Sequence, residues 1–192
     1  MTTPLYPIFE KRISDAFDKL TNTQIEPWAM FNSGHPIKVA RFDGRKISYE
    51  GIGFEGSPQL VFWSRYIEPF LEDISIQQIT DAAKLARERE VDGRLLLGEI
   101  EGLLLASCRK TFTRMSQIEQ RLMGKGFPEK IPMRSTQNEY EYMKEFVEKH
   151  IRAELEMWKT KRWYEIWYEK NKFWVWVIGL IIAISSIVIK LH

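Results

Sequence analysis

Apolar residues recur every three or four positions along most of this chain, the spacing that gathers them on one face of an α-helix. Ile8, Phe9, Ile13, Phe17 and Leu20 follow it and predict an amphipathic helix over residues 5–20. A second stripe, Leu97, Ile100, Leu104, Cys108, Met115, Ile118 and Leu122, predicts a long helix over 94–123. Asp92 stands where its N-cap belongs, and the Gly124–Pro128 run breaks it. After a loop at 124–136, a third stripe (Tyr140, Met143, Val147, Ile151, Leu155 and Trp158) begins near Asn138. No proline interrupts residues 134–192, so one helix is able to run from this stripe to the end of the sequence.

Two stretches break the helical period. Ile37–Phe42 and Arg45–Glu50 flank Asp43-Gly44, a dipeptide that tolerates the positive φ of a two-residue hairpin turn. Pairing Phe42 with Arg45 would put Ala40, Phe42, Ile47 and Tyr49 on a face turned to the helices. Val39, Arg41, Lys46 and Ser48 would then be wet. Thr21–Pro36 reads as an irregular segment whose Trp28, Met30 and Phe31 plug the core. Ser57-Pro58 is a helix-start pairing that predicts a helix over 57–72 kinked near Pro69, although QLVFW (59–63) also suits a third strand. Ser75 and Gln78 have capping-box spacing and predict a further helix to about Glu90.

The pattern changes completely at Phe173. Residues 173–189 read FWVWVIGLIIAISSIVI and carry no charge. As a helix they span about 26 Å at ~1.5 Å per residue, close to a ~30 Å hydrocarbon core. Their Phe, Val, Leu and Ile content favours insertion by roughly 3 to 6 kcal/mol before the ends are discounted. Phe173, Trp174 and Trp176 sit where an interfacial aromatic belt belongs, and Lys172 and Lys190 can snorkel from either edge. A buried core helix of this length would show a polar face, and this run has none.

Charge then orients the span. Lys159, Lys161, Arg162, Lys170 and Lys172 precede it, and Lys190 follows it. The positive-inside rule puts the N-terminal part in the cytoplasm, and the expected membrane is the bacterial inner membrane. No signal peptide is expected, since MTTPLYPIFEKR lacks an apolar run. A single cysteine excludes an intramolecular disulfide framework and fits a reducing compartment. The net charge of +2 conceals basic residues gathered with tryptophans at 152–172, which suits anionic headgroups and not a nucleic-acid footprint. No nucleic-acid partner is therefore expected.

Candidate chemistry is sparse. Gly51, Gly53 and Gly56 form a literal GxGxxG, the pattern that lets backbone N–H groups approach a pyrophosphate. It lacks the second parallel strand of a βαβ unit, so a plain exit from the hairpin competes with a phosphate loop. His35, His150 and His192 share no metal-ligand spacing, and no metal or other cofactor is expected. His150 stands one turn from Glu154, where a surface pair is expected. Cys108 lies on an apolar stripe and reads as a small core residue, not a nucleophile. Glu99 and Glu101 diverge by about 200° on a helix and do not form a carboxylate pair. Gly98, Gly102 and Ala106 recur at four-residue steps mid-helix, at ~1 kcal/mol per glycine relative to Ala. They are expected to admit close approach of another helix, either of this chain or of a second subunit. Within the span, Gly179, Ala183 and Ser186 make a second small-residue face suited to helix association.

The expected architecture is mainly α with one small β-hairpin. A helical cytoplasmic domain (1–136, hairpin at 37–50) leads to a long amphipathic juxtamembrane helix (137–172) and a transmembrane tail anchor (173–190). The expected function is a tail-anchored, self-associating interaction or sensing module whose partners are the lipid bilayer, its own copies and a cytoplasmic protein. A pore-forming effector of toxin or defence type is the alternative, with a membrane-associated nucleotide-binding enzyme behind it. Nothing nominates a catalytic residue.

Overall fold

The computed structural model describes residues 2–30, 37–40, 45–49, 66–124 and 136–190. At 37, 39–40, 46–49, 123, 136, 159–166, 169–170 and 177–190 the backbone alone is described. The described residues are mainly helical and divide into two units, 1–152 and 153–192.

In the first unit, α1 (Tyr6–Leu20) starts with Pro7 in its first turn and buries Phe9, Ile13, Phe17 and Leu20. Ile8, expected on the same face, is 45% exposed, because the face turns toward residues four apart and leaves it on the flank. The helix passes without a break into a π-helical turn, Thr21–Ile25, and then into the short α2, Glu26–Ala29. Trp28 is fully buried as expected of a plug, but Met30 is 77% exposed. Ordered helical turns therefore replace the expected irregular segment here. Phe31 lies outside the described residues.

Two strands, β1 (Ile37–Ala40) and β2 (Lys46–Tyr49), pair antiparallel. Val39 is opposite Ile47 and Ala40 is opposite Lys46, one residue away from the expected register. Opposed residues share a face, so the expected grouping of Ala40 with Ile47 and Tyr49 is replaced. The Asp43-Gly44 turn lies outside the described residues, as do Ser57-Pro58 and QLVFW.

Helix α3 (Glu68–Glu88) corrects two expectations. Pro69 occupies its first turn, where the missing N–H costs nothing, so it starts the helix and does not kink one. Ser75 opens no helix: it is fully buried mid-helix, and its Oγ donates to the Leu71 carbonyl at 2.6 Å. The C-terminus of α3 closes with Val91 N–H donating to the Ala86 carbonyl and Glu90 N–H to that of Arg87. Glu90 takes the left-handed conformation (φ 55°) that such a closure requires, a position glycine usually fills.

Helix α4 (Gly93–Met123) begins on Asp92, whose Oδ1 accepts from the N–H groups of Arg94 (2.9 Å) and Leu95 (3.3 Å). Its predicted stripe, Leu97 to Leu122, is buried throughout, packed on α1 and α3. The N-terminus of the chain is tied to it: the backbone N–H (2.8 Å) and Oγ (2.5 Å) of Thr3 both donate to the Glu99 carboxylate. Helix α5 (Thr136–Lys190) contributes Met143, Val147 and Ile151 to the core of the first unit. Tyr142 donates from α5 to Glu72 of α3 at 2.6 Å.

Candidate functional site

Two regions of the surface have a chemistry that packing does not explain. The first is in the second unit, on α5. Trp167 and Tyr168 are exposed, and Phe173, Trp174, Val175 and Trp176 are exposed consecutively, at 68%, 62%, 37% and 65%. Successive helical residues point about 100° apart, so four exposed in a row leave no side of the helix here covered by the described residues. Phe173 and Trp174 meet edge to face, with ring centroids 5.8 Å apart. Lys172, also exposed, precedes them, and Asn171 donates back to the Trp167 carbonyl at 2.7 Å.

The helix continues to Lys190, but the side chains of 177–190, including Gly179, Ala183, Ser186 and Lys190, lie outside the described residues. Among the described residues, no helix is long and apolar enough to cross a membrane.

The second region is the outward face of α4 in the first unit. Gly98, Gly102 and Ala106 are exposed. A Cβ placed on Gly98 or Gly102 would meet no atom within 4 Å. Among the described residues, no helix of this chain makes the expected close approach at either glycine. The neighbours of α4 pack on its Leu/Ile stripe, roughly opposite these positions.

Gly102 and Ala106 instead border an open cavity of about 710 Å³, which reaches Arg109, Lys110, Thr113 and Tyr140. Arg114 is held at its edge by a bidentate pair with Glu26 of α2, with Nε 2.6 Å from Oε1 and Nη2 2.7 Å from Oε2. That fork holds the Glu26 carboxyl below the usual carboxylate range. Arg114 also donates to Gln117 at 3.3 Å. The Arg109 guanidinium lies over the Tyr140 ring, 4.6 Å from its centroid. Lys110 approaches Asp18 at 3.7 Å, and both are more than half exposed.

The pairs Arg114–Glu26, Arg109–Tyr140 and Lys110–Asp18 join residues 31 to 92 positions apart, and no local spacing announces them. The same is true of Arg121, which donates to the Ala29 carbonyl and closes the last turn of α2.

The remaining candidates are settled by their surroundings or lie out of view. Cys108 is fully buried, and burial pushes its thiol up to about 12, so it packs and does not react at neutral pH. His150 bonds the Phe146 carbonyl through Nδ1 at 2.8 Å and lies 4.2 Å from the Phe146 ring. Backbone and ring contacts thus hold it. Glu99 is engaged by Thr3, while Glu101 faces Glu148 and Lys144 of α5. Burial, and then the nearby Glu148, raise the carboxyl of Glu101. Gly51, Gly53 and Gly56 lie outside the described residues. Among the described residues, no group of three His, Cys, Asp or Glu is placed to hold a metal ion. The chain matches no protein-family model, no curated protein and no solved structure.

Proposed function

We propose that this protein is a membrane-tethered interaction module. Residues 173–190 hold it in a bilayer, and the helical unit of residues 1–152 engages a protein partner on the cytoplasmic side. The observation that carries this reading is the uncovered ring of Phe173, Trp174, Val175 and Trp176 on α5. Apolar side chains exposed all round a helix lose free energy in water and gain it at a headgroup boundary, where indole N–H groups also find acceptors. The uncharged sequence that follows, and the basic residues from Lys159 to Lys172 that precede it, supply the span and its orientation. Self-association through the Gly179, Ala183 and Ser186 face belongs to the same proposal, since small residues let spans approach closely in lipid.

The test is extraction of membranes from cells producing the full chain. The protein is expected in the membrane pellet and, after alkaline carbonate washing, still there. A version ending at Lys170 is expected to lose that resistance. Release of the full chain by carbonate would overturn the anchoring. Crosslinking of both versions then separates contacts made by the helical unit from contacts made within the bilayer.

A further inference from the structure

The cavity beside α4 has a composition that core packing does not require. We infer that it is a binding site for a small organic phosphate, an anionic monoester with a compact apolar body. The reasoning begins with which cations are already committed. Arg114 is committed, with three of its five N–H donors spent on Glu26 and Gln117 and its charge paired with the Glu26 carboxylate, so its main part is to hold the wall in place. Arg109 is different. Its guanidinium lies over the Tyr140 ring, 4.6 Å from the centroid, and among the described residues it has no carboxylate partner. Lys110 has only the loose approach to Asp18, with its side chain 80% exposed. Such a pair is worth little in water and yields readily to a stronger anion.

Two adjacent cations with donors to spare therefore face one cavity, with the Thr113 hydroxyl one turn beyond Arg109. A lone carboxylate would neutralise half of this pair. A phosphate monoester carries a charge of roughly −1.5 to −2 at pH 7 and offers three acceptor oxygens, which matches both cations. The rest of the cavity accounts for the organic part of the ligand. Its volume of about 710 Å³ lies in the range of small-molecule sites and far exceeds a phosphate group. Gly102 and Ala106 floor it with no side chain longer than a methyl, and a Cβ on Gly102 would still meet nothing within 4 Å. The rim is made partly by Thr21, the first residue of the π-helical turn, a type of irregularity that recurs at functional sites. Glu26, the one acidic residue lining the cavity, is neutralised by Arg114, so the field there stays positive.

The site stands apart from the membrane reading, because every residue in it belongs to the first unit. Phenyl phosphate titrated into the full chain in a mild detergent, followed by ³¹P line broadening, tests it. Saturable binding is expected, with benzoate, the same ring carrying a single carboxylate, competing weakly. Arg109→Ala is expected to weaken phenyl phosphate by roughly ten-fold or more, the usual effect of losing a charge-assisted contact. Gly102→Leu is expected to abolish binding without lowering the thermal midpoint, since the position is open and leucine is the better helix former. Absence of saturable binding would overturn the inference, as would binding indifferent to both substitutions. If Gly102→Leu shifted the oligomeric state and left phosphate binding unchanged, the face would belong to a second copy and the inference would fail.

Discussion

Helix α5 contains two stretches that obey different rules. Met143, Val147 and Ile151 are buried at four-residue steps, so one side of that stretch meets protein and the other meets water. Phe173 to Trp176 are exposed without interruption, so that stretch has no inside. Backbone geometry and hydrogen bonding are those of one helix throughout. The difference therefore lies in what surrounds the side chains. The first stretch is stabilised by burying a stripe in the core of the first unit, whereas the second has apolar atoms that nothing in the described chain covers. Periodic apolar residues specify a protein neighbour. Aperiodic ones call for surroundings that are apolar on every side.

The largest effect that tests this contrast comes from placing a charge in each stretch. Val147→Asp buries a carboxylate with no partner and is expected to cost about 4 kcal/mol or more, enough to abolish a cooperative thermal transition. Trp174→Asp is expected to move the transition of the helical unit by less than about 0.5 kcal/mol, because the side chain is 62% exposed and its ring contact is with the neighbouring Phe173. Circular dichroism of the full chain in one detergent reads both. Equal effects would erase the distinction between the two stretches.

How much of this was legible in the sequence follows from the same distinction. The α4 stripe from Leu97 to Leu122 and its Asp92 cap were readable because periodicity and capping are local signals. The faces that failed were those decided by tertiary neighbours. Ile8 has the right spacing but lies at the flank of its stripe. Ser75 has a capping residue's chemistry, yet its buried hydroxyl bonds the preceding turn. Pro69 looked like a kink because the start of α3 carries no other strong mark. Gly98 and Gly102 illustrate the limit most sharply. Their spacing is that of a tight helix crossing, and only the open space around them shows that, among the described residues, no helix of this chain crosses there. The cavity at Arg109 was invisible for a related reason, since Tyr140 and Glu26 reach α4 from distant parts of the chain.

A smaller effect separates membrane affinity from folding. Replacing Phe173, Trp174 and Trp176 together with serine removes roughly 2 to 4 kcal/mol of apolar transfer, a roughly 30- to 1,000-fold loss in partition to anionic vesicles. Flotation of the full chain with the vesicles measures it, and the thermal midpoint of the helical unit is expected to stay put. Unchanged flotation would place the interfacial contact elsewhere. Loss of folding would show that these rings pack against protein after all.

The smallest effects come from two carboxyls, Glu101 on α4 and Glu26 paired with that helix through Arg114, that are shifted in opposite directions. Glu101 faces Glu148 and Lys144 on the buried stretch of α5, and its carboxyl is raised in the folded state, first by burial and then by Glu148. Its ionised form is therefore penalised on folding. That penalty is absent below the unfolded carboxyl range and grows as pH rises through the higher, folded value. Glu101→Gln is expected to stabilise the protein by a few tenths of a kcal/mol at pH 7, since solvent screens most of the effect at this part-exposed site. The gain should vanish near pH 4.

Glu26 is the mirror case, held low by the Arg114 fork. Its contribution is present above the unfolded carboxyl range and is lost as pH falls through the lower, folded value. Glu26→Gln is therefore expected to destabilise at pH 7, by less than about 1 kcal/mol because both partners are over a third exposed, and to become neutral in strong acid. Thermal midpoints of the two variants against pH should thus diverge from wild type in opposite directions as pH rises. Parallel curves would mean that α5 does not bring Glu148 to Glu101, and that the buried stretch of this helix docks differently.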